Sequence, residues 1–404
     1  MKQRLQLLII VFFSLVAMPF AAHAADTPPA VQAFLDALKR QYNQAGGEVT
    51  PSFGDMVPDG SGGATITNIE STFVQEEFKG GFKISKVVLS GASKNDNGTW
   101  SFKSINLENA EFAATIPDVG PIIITIPSAT TTNVHLLPTT YADGLDYSVL
   151  LGTVVYEKSN VPIVEFTVAG QTFNAKNFSA NWKGDPTTGF GIWTTKMDSL
   201  VIPVDAIPNA KFQKDMKETF GFDQFNLSLD GNFAIKGANK KLDLAYALRF
   251  TGKKIGSFDF AFAAQDIPGQ LLAVLKDVQA GGEPNMGKLM PLLIGIKLSH
   301  FKIGFVDDTI THKALDFAAK KQGTTRDALT ANGAAMLQIG LGQIRAPEFT
   351  KSVIAAYNAF IKDPKNITLE AKPASPVILA SLMGMMGSPA AIIQVLGVSV
   401  KSNQ

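Results

Sequence analysis

A chain of 404 residues with a formal charge of +1, from 36 basic and 35 acidic side chains, has no charge surplus with which to hold a polyanion. Arginine is scarce, with Arg40, Arg249, Arg326 and Arg345 alone beyond the first few residues, so bidentate phosphate recognition has few candidates and nucleic acid is not an expected partner. Cysteine is absent, which excludes a disulfide scaffold, a thiolate metal site and an acylated N-terminal cysteine, and leaves burial to hold the fold.

Lys2 and Arg4 precede an uncharged run over residues 5–20, and Ala22-His23-Ala24 has the small-x-small pattern that signal peptidase needs. The run is shorter than the roughly 20 residues of a membrane span. Residues 1–24 are therefore expected to be a signal peptide cleaved after Ala24, and the mature chain to be periplasmic. Thr27-Pro28 then reads as the start of a helix whose stripe is Val31, Phe34, Leu35, Leu38 and Tyr42, ending at Gly46. Residues 48–63 read as a loop. Its Gly60-Ser61-Gly62-Gly63 lacks the Lys-Ser/Thr that completes a phosphate cradle.

Between residues 64 and 205 the signals are nearly all strand, at 82–90, 99–107, 112–116, 121–126, 146–156 and 161–168. Turns such as Asn95-Asp96-Asn97-Gly98 and Lys183-Gly184-Asp185-Pro186 separate them. Residues 209–219 read as a helix before Gly221. From 222 to 268 one period governs the chain: Phe225, Leu227, Leu229, Phe233 and Ile235, then Leu242, Leu244, Tyr246, Leu248 and Phe250, then Phe258, Phe260 and Phe262 alternate with polar or small residues. This predicts a three-stranded antiparallel meander with one apolar face.

Helices are expected at 269–279, 311–322, 325–341 and 348–361, with a strand at 297–306 between the first two. Thr324 and Asp327 have the spacing of a capping box. A short strand at 366–371 precedes a tract, residues 373–400, without a single charge. Gly384, Gly387, Pro389 and Gly397 divide that tract, which predicts a buried helix pair and a strand at 398–400. The fold class expected is α+β: an extended antiparallel β-sheet, either a sandwich or a curved groove, with helices concentrated in the C-terminal third. Residues 25–208 would form an N-terminal helix plus a β-rich region, and 209–404 the meander with the helical region.

Chemistry is sparse. His135, His300 and His312 have no partner at metal-ligand spacing, and Asp307-Asp308, in front of a helix, is better suited to capping than to half of a cation site. Ser299-His300-Phe301-Lys302 has the form S-x-x-K, but strand alternation places Ser299 and Lys302 on opposite faces. No metal, cofactor or catalytic residue is expected, and the chain is read as non-enzymatic.

The tract Phe220-Gly221-Phe222-Asp223-Gln224-Phe225-Asn226-Leu227-Ser228-Leu229-Asp230 and the two strands after it resemble uncharacterised exported proteobacterial proteins of the YdgA-like and AsmA-like envelope group. So do Phe305-Val306-Asp307-Asp308, Gly323-Thr324-Thr325 and Lys362-Asp363-Pro364-Lys365-Asn366-Ile367-Thr368-Leu369, with Pro373 and Pro376 behind. The resemblance covers the C-terminal half. It implies an envelope location and, by analogy, a link to lipid traffic or outer-membrane upkeep.

Two functions fit these observations. In the first, Phe225, Leu229, Leu244, Leu248, Phe258 and Phe260 form a face that binds or transfers a lipid or other apolar ligand. In the second, the same face is core beneath the C-terminal helices of an envelope scaffold or protein-interaction module. The partners expected are a lipid or an envelope protein, with membrane contact but no span after cleavage.

Overall fold

The computed structural model describes residues 27–44, 52–75, 78–116, 120–139, 141, 143–168, 170–207, 209–279 and 285–404. The signal segment assigned to residues 1–24 lies outside them. Fifteen strands form one large antiparallel sheet, open and not a barrel, with helices mostly in the C-terminal part. Strands β1 (Met56–Pro58), β2 (Ala64–Gln75), β3 (Phe78–Lys94), β4 (Trp100–Ile116), β5 (Gly120–Leu136), β6 (Val154–Val168) and β7 (Gln171–Gly184) come first. They are followed by β8 (Gly191–Pro203), β9 (Gln224–Ala238), β10 (Lys241–Gly252), β11 (Gly256–Pro268), β12 (Lys297–Asp307), β13 (Asn366–Ala371), β14 (Val377–Ile378) and β15 (Val398–Ser402). Their order in the sheet is their order in the chain, except that β14 pairs with β12 and β15 takes the place beside β13. Short turns suffice for such a meander, which is why the turn signals were legible.

The chain divides into two compact units, residues 1–197 with 236–240 and 269–289, and residues 198–235 with 241–268 and 290–404. In the first unit the N-terminal helix, Pro29–Gln44, lies on β3, β4 and β5. Of its predicted stripe, Val31, Phe34, Leu35 and Leu38 are at most 5% exposed, and Phe34 meets Phe102 edge to face with ring centroids 5.8 Å apart; the Tyr42 side chain and the expected end at Gly46 lie outside what the structure describes. On β3, β4 and β5, Phe82, Ile84, Leu89, Phe102, Ile124 and Val134 are all at most 1% exposed and form a buried apolar core.

Several strands here are longer than the sequence suggests. The expected strands 99–107 and 112–116 merge into one, β4, which starts at Trp100 and runs through the polar Glu108-Asn109, where Asn109 adopts φ 48°. The register places both Asn68 (φ 52°) and Asn109 opposite Ser85, and Asn109 opposite Pro127. Asparagine tolerates the left-handed region, and one such residue lets a ladder of 17 residues kink without ending. The expected strand at 146–156 is a correction: residues Ser148–Leu151 are helical, and the strand begins at Val154 and absorbs the segment 161–168. Asp146 causes the change by accepting the Ser148 amide at 3.0 Å, a local bond that competes with a ladder.

In the second unit, residues Ala210–Lys214 and a wider turn, Asp215–Phe220, form the expected helix, which Gly221 ends at φ 69°. The helix Arg326–Gly342 starts one residue later than the sequence indicates: Thr325, not Thr324, caps it by accepting the Ala328 amide at 3.2 Å. Asp307 accepts the amides of Thr309 and Thr311, each at 2.8 Å, ahead of the helix Ile310–Lys321. The uncharged tract forms the helices Leu379–Gly384 and Pro389–Val395, but no residue of either is buried. Helices of six and seven residues, interrupted by Gly384, Gly387 and Pro389, are too short to fold a shared interior between them.

Gly256, which opens β11, sits at φ 132°, and an added Cβ would collide with the carbonyl oxygen of Val306 on β12. Gly256→Ala should therefore cost about 3 kcal/mol or more, read as a lower urea midpoint at unchanged slope.

Candidate apolar face of the second unit

Antiparallel pairing carries the meander's alternation across strands far apart in sequence. Opposite residues form three rows: Phe250, Phe258, Phe305 and Ile367; Leu248, Phe260, Ile303, Leu369 and Val400; and Tyr246, Phe262, Phe301, Ala371 and Val398. All lie on one side of the sheet, because each partner of an even position in β10 keeps the parity of its own strand. Phe260 is the centre, 6.2 Å from the ring of Tyr246 and 5.9 Å from that of Phe301.

Large apolar side chains usually disappear from water on such a face, and here they do not. Tyr246 is 38% exposed, Phe250 47%, Phe258 44%, Phe262 36%, Ile303 36% and Leu369 37%. Helices cover only part of it: Pro347–Lys362 lies on β13 and β15 and brings Phe360 to within 6.3 Å of Phe305. The remainder is a contiguous solvated apolar area, the kind of surface that marks an interaction site.

The structure unites Leu244, Leu248, Phe258 and Phe260 on this face, with Leu244, Leu248 and Phe260 half-buried. Leu229 is half-buried on β9. Phe225 has other company: it packs 5.7 Å from Phe222 and 6.3 Å from Phe212, against the cluster of Val204, Phe220 and Phe222 that also takes Phe317. Ile303 and Leu369 complete the face and are not among the six face residues expected from sequence. The alternation of Phe301, Ile303 and Phe305 was the signal for the first, whereas only pairing brings in the second.

The opposite side is polar. Arg249 bonds both oxygens of Asp259, at 2.6 and 2.9 Å, and His300 Nε2 lies 2.9 Å from Glu370. The Arg249 hydrogen bonds hold the Asp259 carboxyl below the usual carboxylate range, and those from His300 do the same for Glu370. A depressed carboxylate pKa stabilises the fold above the unfolded value, near 4, and that contribution disappears as pH falls through the folded value. Asp259→Asn should thus cost about 1 kcal/mol at pH 7, a figure discounted because Arg249 is half exposed, and less near pH 2. Urea unfolding at the two pH values measures the difference; an equal cost at both would contradict the assignment.

Elsewhere, Ser101 Oγ lies 2.9 Å from His135 Nδ1, a pairing invisible in the sequence. Asn95 Nδ2 donates to Thr99 at 2.9 Å, so its Oδ1 receives the Ser101 hydroxyl at 2.8 Å, and the imidazole is the donor to Ser101. Ser101 is therefore not activated as a nucleophile. Burial pushes the His135 imidazole toward its neutral form. Among the described residues, no three or more His, Asp or Glu side chains are grouped to hold a metal ion.

A family model described as "Uncharacterized protein" matches residues 249–403, the C-terminal part that contains most of this face. That match does not extend to the YdgA-like or AsmA-like grouping. No curated protein matches the chain. Among solved structures, one described as "Crystal structure of lipopolysaccharide binding protein" is 9% identical with a TM-score of 0.13, over 59% of this chain and 77% of that one, a likeness too low to carry an argument.

Proposed function

We propose that this is an exported, periplasmic, non-enzymatic envelope protein that binds a lipid acyl chain on the apolar face of β10 to β13. The observation that carries the reading is the set of six large apolar side chains, 36–47% exposed, in adjacent register rows. Four strands span about 14 Å, and each methylene removed from water contributes about 0.8 kcal/mol, so a hydrocarbon chain is the ligand part such a face holds. The signal-like N-terminus and the resemblance to envelope proteins support the location.

The contact of Phe305 with Phe360 favours a second reading, an envelope scaffold in which the face is core. It accounts for one edge of the face and leaves the Tyr246–Phe262 and Phe250–Phe258 pairs in water. Native mass spectrometry of the protein purified from the periplasm separates the two. A bound mass in the lipid range is expected, whereas a clean unliganded mass would favour the scaffold.

A further inference from the structure

The tract without charges, residues 373–400, is anchored and then leaves the sheet. At its start β14 pairs with Lys297 and Leu298, and the Leu379 amide donates to Ile296 at 2.8 Å. At its end a Cβ added to Gly397 would sit 2.8 Å from the Lys372 carbonyl oxygen, so the two ends meet. Between them no residue of the two short helices is fully buried: Leu382, Ile392 and Ile393 are half-buried, and Ile378 (41%), Met383 (37%), Met386 (69%) and Val395 (37%) are exposed.

The charges say what this excursion fits. The residues bounding the tract are both lysines, Lys372 and Lys401, and both are exposed. The nearest acidic side chain before it, Glu370, is engaged with His300 at 2.9 Å. An uncharged, methionine-bearing segment bounded in sequence by two exposed lysines, with Lys401 opposite Thr368 on β13, is complementary to an anionic lipid surface: adaptable side chains enter the acyl boundary while the lysines meet headgroup phosphates. Among the described residues no helix is long and apolar enough to cross a membrane, so the contact lies at the surface.

From this we infer that residues 373–400 dock the protein reversibly on an anionic bilayer surface. The inference draws its purpose from the lipid reading above, since docking would bring the apolar face to its source of acyl chains, but its geometry is independent of that face. Flotation of the full chain with vesicles of phosphatidylcholine plus phosphatidylglycerol, and of phosphatidylcholine alone, tests it. Wild type should float with the anionic vesicles and lose binding in high salt. Met383→Asp with Met386→Asp should reduce flotation about tenfold or more, and Lys372→Gln or Lys401→Gln about fivefold each, the equivalent of roughly 1 kcal/mol per lysine.

Circular dichroism should be unchanged, because both methionines are exposed in the folded chain. Native mass spectrometry should still find bound lipid in the Met383→Asp/Met386→Asp variant. Retained flotation of that variant, or no flotation of wild type, overturns the inference and leaves the acyl-chain reading intact. A wild-type dimer that the methionine substitutions convert to monomer would identify a second copy as the occupant and overturn it equally.

Discussion

Phe262→Asp is expected to abolish lipid retention while leaving the fold nearly as stable as wild type. The ring is 36% exposed, opposite Tyr246 on one side and Phe301 on the other, in the row beside the central Phe260. A carboxylate there stays hydrated in the unliganded protein, so folding loses only the part of the ring that was covered, about 1 to 2 kcal/mol. With an acyl chain over it, the same carboxylate must be stripped of water, and the cost falls on the complex. Melting curves and native mass spectra of one preparation report both quantities. If the face were closed core, the order would reverse, with a collapsed melting temperature and no ligand to lose.

Phe102→Ala provides the opposite case and the largest expected loss of stability, about 3 to 5 kcal/mol. Phe102 is 1% exposed between β4 and the N-terminal helix, where Phe34 meets its ring edge to face. The residues beside the cavity, Phe34 on the helix and Val134 opposite on β5, are themselves at most 5% exposed and held by their own packing, so they cannot collapse into it. Urea denaturation followed by circular dichroism should show a lower midpoint with an unchanged slope. A shift as small as that of Phe262→Asp would mean that the first unit is no better packed than the apolar face.

The contrast between those positions was only half legible in the sequence. Period-2 alternation identifies which residues of β9 to β12 share a face, and it did so for Leu244, Leu248, Phe258 and Phe260. It carries no information about what lies above that face. Phe225 obeys the same parity, yet Phe212 and Phe222, from the segment before β9, pack against it. Leu369 joins the face through its pairing with Ile303, 66 positions earlier, and no local pattern encodes such a distance.

Local chemistry explains the other differences. A polar interruption such as Glu108-Asn109 looks like the end of a strand, and only the left-handed conformation of Asn109 shows the ladder continuing through it. The reverse error occurred at Asp146, whose bond to the Ser148 amide turns an apolar run into a helical turn. The segment 373–400 was read as a buried helix pair because apolar sequence normally means burial. Its helices are short enough that Leu382, Ile392 and Ile393 are only half-buried, and the structure leaves Met386 in water.

The most direct test uses two adjacent residues on opposite sides of one strand. Phe260 and Ala261 differ by one position on β11, and the register places Phe260 between Leu248 and Ile303 but Ala261 between Ala247 and Lys302. Each is replaced in turn by p-benzoylphenylalanine, the full chain is expressed, and irradiated samples are analysed for lipid adducts by mass spectrometry. Adducts carrying acyl chains at position 260 and none at 261 are predicted. Equal labelling at both positions, or labelling of protein alone at 260, would contradict an acyl-chain site on this face.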